Sequence, residues 1–269
     1  MSDNHQPILH FAHANGLPSK VYRVMLDRLR QDFEVIEISE LGPNPRYPVT
    51  QNWTHLIRQV IDSIEQQAQG RPVIGVGHSL GSLLTFLASR QRPELFKQVI
   101  MLDPPMMMGK AGFILDIVKV LSPEWLDRLT PAGISKKRRD HWQSRNQAAE
   151  LLRKKAFFRD FDERCFQDYI QYALTEDKDL GGVKLTIPKM DEVEIFRTNP
   201  SYWWRSRRGQ PPVNTQSIVG QDSPFLKKGF IQLANKQQGI PYTLTKGGHM
   251  FPLEYPEHVA DLIKKITQI

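Results

Sequence analysis

The sequence predicts an α/β protein: a parallel sheet covered by helices on both faces, with a helical insertion. Three observations carry this. Apolar runs of strand length alternate with amphipathic runs of helix length up to Asp103, and the alternation resumes at Val213. Between these points it is lost for roughly a hundred residues. Finally, Val73 to Ala88 reads as a short apolar strand, the turn Gly77-His78-Ser79-Leu80-Gly81, and an apolar segment free of helix breakers.

In chain order, Pro7 to His13 reads as a buried strand, followed by the loop Ala14-Asn15-Gly16-Leu17-Pro18. Ser19 is a suitable N-cap for a helix from about Lys20 to Arg30, whose Tyr22, Met25, Leu26 and Leu29 share one face. Phe33 to Ile38 is a second strand, and the proline-rich stretch Leu41 to Thr50 is irregular. From Asn52 to about Gln69, Trp53, Leu56, Ile57, Val60, Ile61 and Ile64 recur as one buried stripe, and Gly70 with Pro72 ends the helix. After the serine strand and its helix, Gln98 to Leu102 is a fourth strand that ends in Asp103-Pro104-Pro105.

The insertion reads as helices at Phe113 to Leu121, Lys136 to about Phe158, and Asp162 to about Leu174. The Met106-Met107-Met108 run and Tyr202-Trp203-Trp204 give it an aromatic and methionine-rich underside. Beyond Val213 come a strand ending in Gly220-Gln221-Asp222-Ser223-Pro224, a helix near Phe225 to Lys236 and a strand at Tyr242 to Leu244. The loop Gly247-Gly248-His249-Met250 follows, and then a final amphipathic helix, Pro256 to Ile266. The expected division is a core of residues 1–103 and 213–269 and a cap of residues 104–212.

Composition narrows the classes. The single cysteine, Cys165, rules out an internal disulfide framework and fits a reducing compartment. The first residues have neither a basic start nor an apolar core, so no signal peptide is expected. No apolar run approaches the ~18 residues of a membrane span. The expectation is a cytoplasmic protein without membrane partners. The net charge of +7 is concentrated: 20 Lys/Arg against 15 Asp/Glu lie between Pro104 and Pro212, with clusters at Lys136–Arg139 and Arg205–Arg208. These clusters read as solvated faces or as an anion-attracting rim. They lack a nucleic-acid reader motif, so no nucleic-acid partner is expected. The histidines are scattered without metal-ligand spacing, so neither a metal nor a cofactor is expected.

The chemistry follows from three residues. A serine on a tight strand-to-helix turn presents its Oγ above the sheet edge, and the turn is tight enough that Gly77 and Gly81 must lack Cβ. The helix that follows aims its N-terminal N–H groups at the same point. A hydroxyl nucleophile needs a base, and the base needs an acid to orient it. Ser79, Asp222 and His249 occur in that order, each just past a predicted strand, and in a parallel sheet those ends share one edge.

With these features the chain resembles the α/β-hydrolase-fold serine hydrolases from about Pro7 to its C-terminus. The matching features are the Gly77–Gly81 elbow, Asp222 at a strand end, Gly248-His249 in the penultimate loop and the cap inserted after Asp103. The resemblance implies a three-layer α/β/α fold with a mainly parallel, roughly six-stranded sheet. It implies Ser79 as nucleophile, His249 as base and then acid, and Asp222 as the group that fixes the imidazole tautomer. It also implies an oxyanion hole formed by the backbone N–H of Leu80 and a second N–H from the loop after the first strand. The family usually has His-Gly at that loop; here Ala14 replaces the glycine, so Asn15 is assigned as the donor and Ala14 competes. Asp103 also ends a strand, and in some relatives the acid sits there; Asp222 is preferred because the family places the acid after the strand that follows the cap. His78 is expected to point away from the site, and His13 to brace the oxyanion loop. His13, Met106, Met107, Trp203 and Met250 are expected to line the pocket, with Phe113, Trp125, Tyr202 and Trp204 contributing from the cap. The implied activity is cleavage of a small to medium carboxylic ester through an acyl-enzyme. The alternatives are a thioesterase, a carbon–carbon bond hydrolase acting on an anionic substrate, or a non-catalytic binding protein.

Overall fold

The computed structural model describes residues 6–121, 123–202 and 210–268. Six strands form one sheet in the order β2-β1-β3-β4-β8-β9, and every neighbouring pair is parallel. They are β1 (Ile8–Ala12), β2 (Glu34–Glu37), β3 (Val73–His78), β4 (Phe96–Leu102), β8 (Thr215–Gly220) and β9 (Tyr242–Thr245). Strands β1, β3 and β4 are almost continuously apolar and buried, as a parallel sheet packed on both faces requires.

The helices α1 (Arg23–Leu29) and α14 (Pro256–Thr267) cover one face with α13 (Phe251–Glu254); α2 (Thr54–Gln67) and α3 (Leu80–Gln91) cover the other. The short α11 (Pro224–Lys227) and α12 (Phe230–Gln238) connect β8 to β9. A single helix is expected there from sequence, but Gly229, at φ 76°, breaks it in two. Helix α2 buries Leu56, Ile57, Val60, Ile61 and Ile64 along one stripe, each worth about 1.5–3 kcal/mol of transfer free energy. Asn52 and Trp53 are left-handed, so the helix starts two residues later than its apolar pattern suggests. The Trp53 indole N–H instead donates to Ile195 O at 2.9 Å, tying this corner to the inserted region.

Between β4 and β8 the chain runs through α4 (Gly109–Leu121), α5 (Pro123–Leu129), α6 (Ala132–Lys137), α7 (Arg145–Arg153), α8 (Ala156–Arg159), α9 (Glu163–Tyr172) and α10 (Lys189–Arg197). It also contains a three-stranded antiparallel sheet that periodicity does not reveal: β5 (His141–Trp142), β6 (Leu174–Glu176) and β7 (Val183–Leu185), in the order β5-β7-β6. Strands of two and three residues are too short for alternation to register. Strand β5 also splits the expected Lys136–Phe158 helix. Among the described residues no helix is long and apolar enough to cross a membrane.

Strand register aligns the ends that matter. Ala12 pairs with Gly77, His78 with Leu102, and Leu102 with Ile218. The residues immediately after β1, β3 and β4 are therefore His13, Ser79 and Asp103, standing side by side on one rim. From β1 the chain steps outward to β2, then returns to build β3, β4, β8 and β9 on the other side. Loops leaving β1 and β3 diverge at this switch point, where open α/β sheets form their binding crevice.

Candidate active site

Ser79 sits at φ 52°, ψ −114°, outside the regions a non-glycine residue favours. Its surroundings over-determine that strain. The Ser79 N–H donates to Leu102 O at 2.9 Å, and the Gly81 N–H to His13 O at 3.1 Å. A Cβ on Gly77 would lie 2.3 Å from the Gly81 backbone. The turn is pinned between β1, β4 and the first turn of α3, whose opening N–H groups have no intrahelical acceptor.

His249 stands over the serine, its Nε2 3.0 Å from Ser79 Oγ. Its Nδ1 lies 2.6 Å from Asp103 Oδ2. A carboxylate only accepts, so Nδ1 carries the proton and donates, leaving the Nε2 lone pair to accept from the Ser79 hydroxyl. Of the two glycines before His249, Gly247 is required by close approach: it is left-handed at φ 97°, and a Cβ there would meet Glu254 Oε2 and the Phe251 and Tyr255 side chains. Glu254 accepts the Gly248 N–H at 3.1 Å, and partial burial raises its carboxyl above the usual range. Phe225 packs edge-on against the His249 ring, with centroids 5.0 Å apart.

The carboxylate that reaches His249 is Asp103, which corrects the expectation for Asp222. Asp103 is fully buried and left-handed at φ 46°, which turns its side chain inward from the strand end. Beside the contact to His249 it accepts from Ser223 Oγ at 2.7 Å and from the Gly220 N–H at 3.3 Å. Asp222 lies four residues beyond Ile218, the partner of Leu102, and its side chain, 73% exposed, pairs with Lys227 Nζ at 3.1 Å. The loop after β8 therefore contributes Ser223, which donates to the carboxylate that His249 meets, and not that carboxylate itself. Ser223 also accepts the Phe225 N–H at 3.1 Å as the cap of α11. A serine before proline at a helix start carries that capping signal in the sequence, but nothing local reveals its second partner.

Among the proposed oxyanion donors, Leu80 opens α3 directly after the serine. Ala14, the competitor to Asn15, has its N–H committed to Tyr22 Oη at 3.3 Å. The Asn15 N–H has no acceptor among the described residues, while its side-chain Nδ2 donates to Glu192 O on α10 at 3.0 Å. Glu192 is buried and held by Arg138 and Ser135, so the inserted region braces the loop after β1.

The expected pocket residues divide. Met106 and Met250 are buried, Met107 is partly buried, and Trp203 and Trp204 lie outside the described residues. Phe113 and Trp125, expected to face inward, are 45% and 56% exposed on α4 and α5. His13 is buried, and its Nδ1–H donates to Ala14 O at 2.8 Å, consistent with bracing the loop. A groove of about 460 Å³ outside β2, lined by Glu40, Asn44, Arg46 and Gln59 among others, includes none of these residues.

Burial lowers the His13 pKa to about 4 and that of His10, bonded to Ser63 Oγ on α2, to about 3. Both are neutral in the folded protein, while the unfolded chain takes up protons below the ordinary value of 6.5. Their stabilisation is therefore complete above pH 6.5 and declines as pH falls from there towards 4. The slope is about 1.4 kcal/mol per pH unit for each histidine once it titrates fully in the unfolded state. Urea unfolding at pH 7, 5.5 and 4.5 should show this decline, and His10→Gln should make the curve shallower.

The sequence profile described as the Alpha/beta hydrolase family matches residues 11–262. "Abhydrolase domain-containing protein AKT2" of Alternaria alternata is 24% identical over 235 residues, which cover 72% of this chain and 82% of that protein. "Type I acyl-CoA thioesterase mpaH" of Penicillium brevicompactum is 23% identical over 205 residues, covering 67% of this chain but only 47% of the relative. Among solved structures, E-2-(acetamidomethylene)succinate hydrolase superposes with a TM-score of 0.75 at 17% identity, covering 98% of this chain and 92% of that one. The thioesterase domain from the curacin biosynthetic pathway follows at 0.71 and 16%, covering 97% and 92%. With a profile match across nearly its whole length, the chain belongs to the alpha/beta hydrolase family.

Proposed function

We propose that the chain is a serine hydrolase that cleaves a small to medium carboxylic ester, with Ser79 as nucleophile, His249 as base and Asp103 as the orienting acid. The observation that carries this reading is the hydrogen-bonded line from Ser79 Oγ through His249 to Asp103 Oδ2. Ser79 Oγ forms a bond to the ester carbonyl carbon while its proton passes to His249 Nε2, and the carbonyl π electrons move onto oxygen. The imidazolium so formed is stabilised by Asp103. The backbone N–H groups of Leu80 and Asn15 would hold the oxyanion, the kind of contact worth about 3–4 kcal/mol in the transition state. Collapse re-forms the carbonyl and breaks the bond to the leaving alkoxide oxygen, which takes the proton from Nε2. Water, deprotonated by the same nitrogen, then cleaves the acyl-enzyme.

Residues 104–212 act in this reading as a cap over the rim. Met106, Met107 and Met250 supply apolar lining beside the reacting carbonyl, and exclusion of water there strengthens the oxyanion contacts.

Ser79→Ala should abolish ester turnover and labelling by a fluorophosphonate while leaving the thermal unfolding midpoint within a few degrees of wild type. Labelling of the variant at the wild-type rate would refute the assignment. A thioester is the second reading, favoured by two relatives whose names are those of thioesterases and by the basic surplus in residues 104–212. If the substrate is an acyl-CoA, apparent affinity should fall as salt rises from 0.05 to about 0.5 M, whereas neutral esters should be insensitive.

A further inference from the structure

Three side-chain and backbone contacts outside the Ser79–His249–Asp103 line form one directed path between the two catalytic loops. The Ala14 N–H, in the loop after β1, donates to Tyr22 Oη at 3.3 Å. Tyr22 Oη lies 2.7 Å from His78 Nδ1, and His78 Nε2 lies 2.9 Å from His249 O. Tyr22 and His78 are both fully buried.

Every proton on this path is determined. The His249 carbonyl can only accept, so His78 Nε2 must carry hydrogen and donate. Burial, reinforced by the neighbouring His249, holds the His78 pKa well below its ordinary value, so the ring is neutral and Nδ1 is a bare lone pair. Tyr22 must then donate its phenolic hydrogen to Nδ1, which leaves the phenol oxygen to accept from Ala14. Burial raises the Tyr22 pKa and keeps the phenol protonated. No group has an alternative partner arrangement without orphaning a buried donor or acceptor.

We infer that Tyr22 and His78 are positioning residues that couple the oxyanion loop to the loop carrying the base, through the path Ala14–Tyr22–His78–His249. Taking up the Ala14 N–H turns that donor away from the rim, so the Asn15 N–H is the one left to face the substrate. Holding the His249 carbonyl sets where the imidazole sits relative to that donor. The inference rests on the serine hydrolase reading.

The test is kinetic and spectroscopic. Tyr22→Phe keeps the ring and its packing against Phe11 but leaves Ala14 N–H and His78 Nδ1 both unpaired in a dry interior. Because an oxyanion contact is made chiefly in the transition state, kcat should fall by about 10- to 100-fold with KM changed less than about twofold. His78→Phe should act similarly, and the double variant should be no slower than the slower single one, since both cut one path. In the wild-type protein, the 15N spectrum of His78 should show the Nε2–H tautomer, unchanged between pH 8 and 5; this measurement does not depend on any variant folding. An Nδ1–H tautomer, a Tyr22→Phe kcat within twofold of wild type, a rise in KM at constant kcat, or multiplicative losses in the double variant would each overturn the proposal. Failure of the underlying reading is separately visible: wild type would then not be labelled by a fluorophosphonate at Ser79, whereas failure of this inference alone leaves wild-type labelling intact and Tyr22→Phe labelled at the same rate.

Discussion

Asp103→Asn should lower kcat by about four orders of magnitude, while Asp222→Asn stays within about threefold of wild type. An amide at position 103 that keeps its oxygen where Oδ1 accepts the Gly220 N–H puts its nitrogen where Oδ2 meets both Ser223 Oγ and His249 Nδ1. Its nitrogen can satisfy only the opposite tautomer, in which Nδ1 is bare and Nε2 carries the proton. The base is then blocked toward Ser79. Asp222 by contrast forms an exposed pair with Lys227 near the rim, which supplies little free energy and no orientation to the imidazole. Steady-state kinetics on both variants distinguish the two carboxylates, and a large loss in Asp222→Asn with a small one in Asp103→Asn would reverse the assignment.

Gly81→Ala should destabilise the fold by about 3–5 kcal/mol or prevent accumulation of folded protein. A Cβ at this position would lie 2.0 Å from Ala12 O, 2.4 Å from Ala12 C and 2.7 Å from His13 O. All three are backbone atoms, and Ala12 is held in register by its pairing with Gly77. No rotamer change relieves such a clash; β1 would have to separate from the start of α3. Gly70→Ala offers the contrast, since nothing lies within 4 Å and only its left-handed φ of 79° is penalised, a cost of about 1 kcal/mol. Urea unfolding of the two variants measures the difference.

Much of this architecture is legible because its signals are local. The stripe on α2, the buried runs of β1, β3 and β4, and the glycines flanking Ser79 each state their structural consequence within a few residues. His249 is equally legible, since a Gly-Gly-His loop before an amphipathic helix has little need of an imidazole for packing. The small antiparallel sheet β5-β7-β6 is not, because each strand is shorter than one full alternation. Tyr22 reads from sequence only as one of four residues on a buried helix face, and Ser223 only as a helix cap. Their roles depend on what approaches from Ala14, His78 and Asp103, at separations of 8 to 120 residues.

The sequence alone determined the strand–turn–helix that strains Ser79, the histidine loop before the last helix and the order of the layers, because sterics of glycine and the period of apolar residues act over short spans. Only the tertiary structure decided which carboxylate reaches His249 and which backbone N–H of the loop after β1 is taken up by Tyr22. Asp103 and Asp222 both follow strands, and their local sequences do not separate them. Strand register placed Asp103 one step past the partner of His78, a left-handed backbone turned it inward, and Ser223 from the neighbouring strand end held it there.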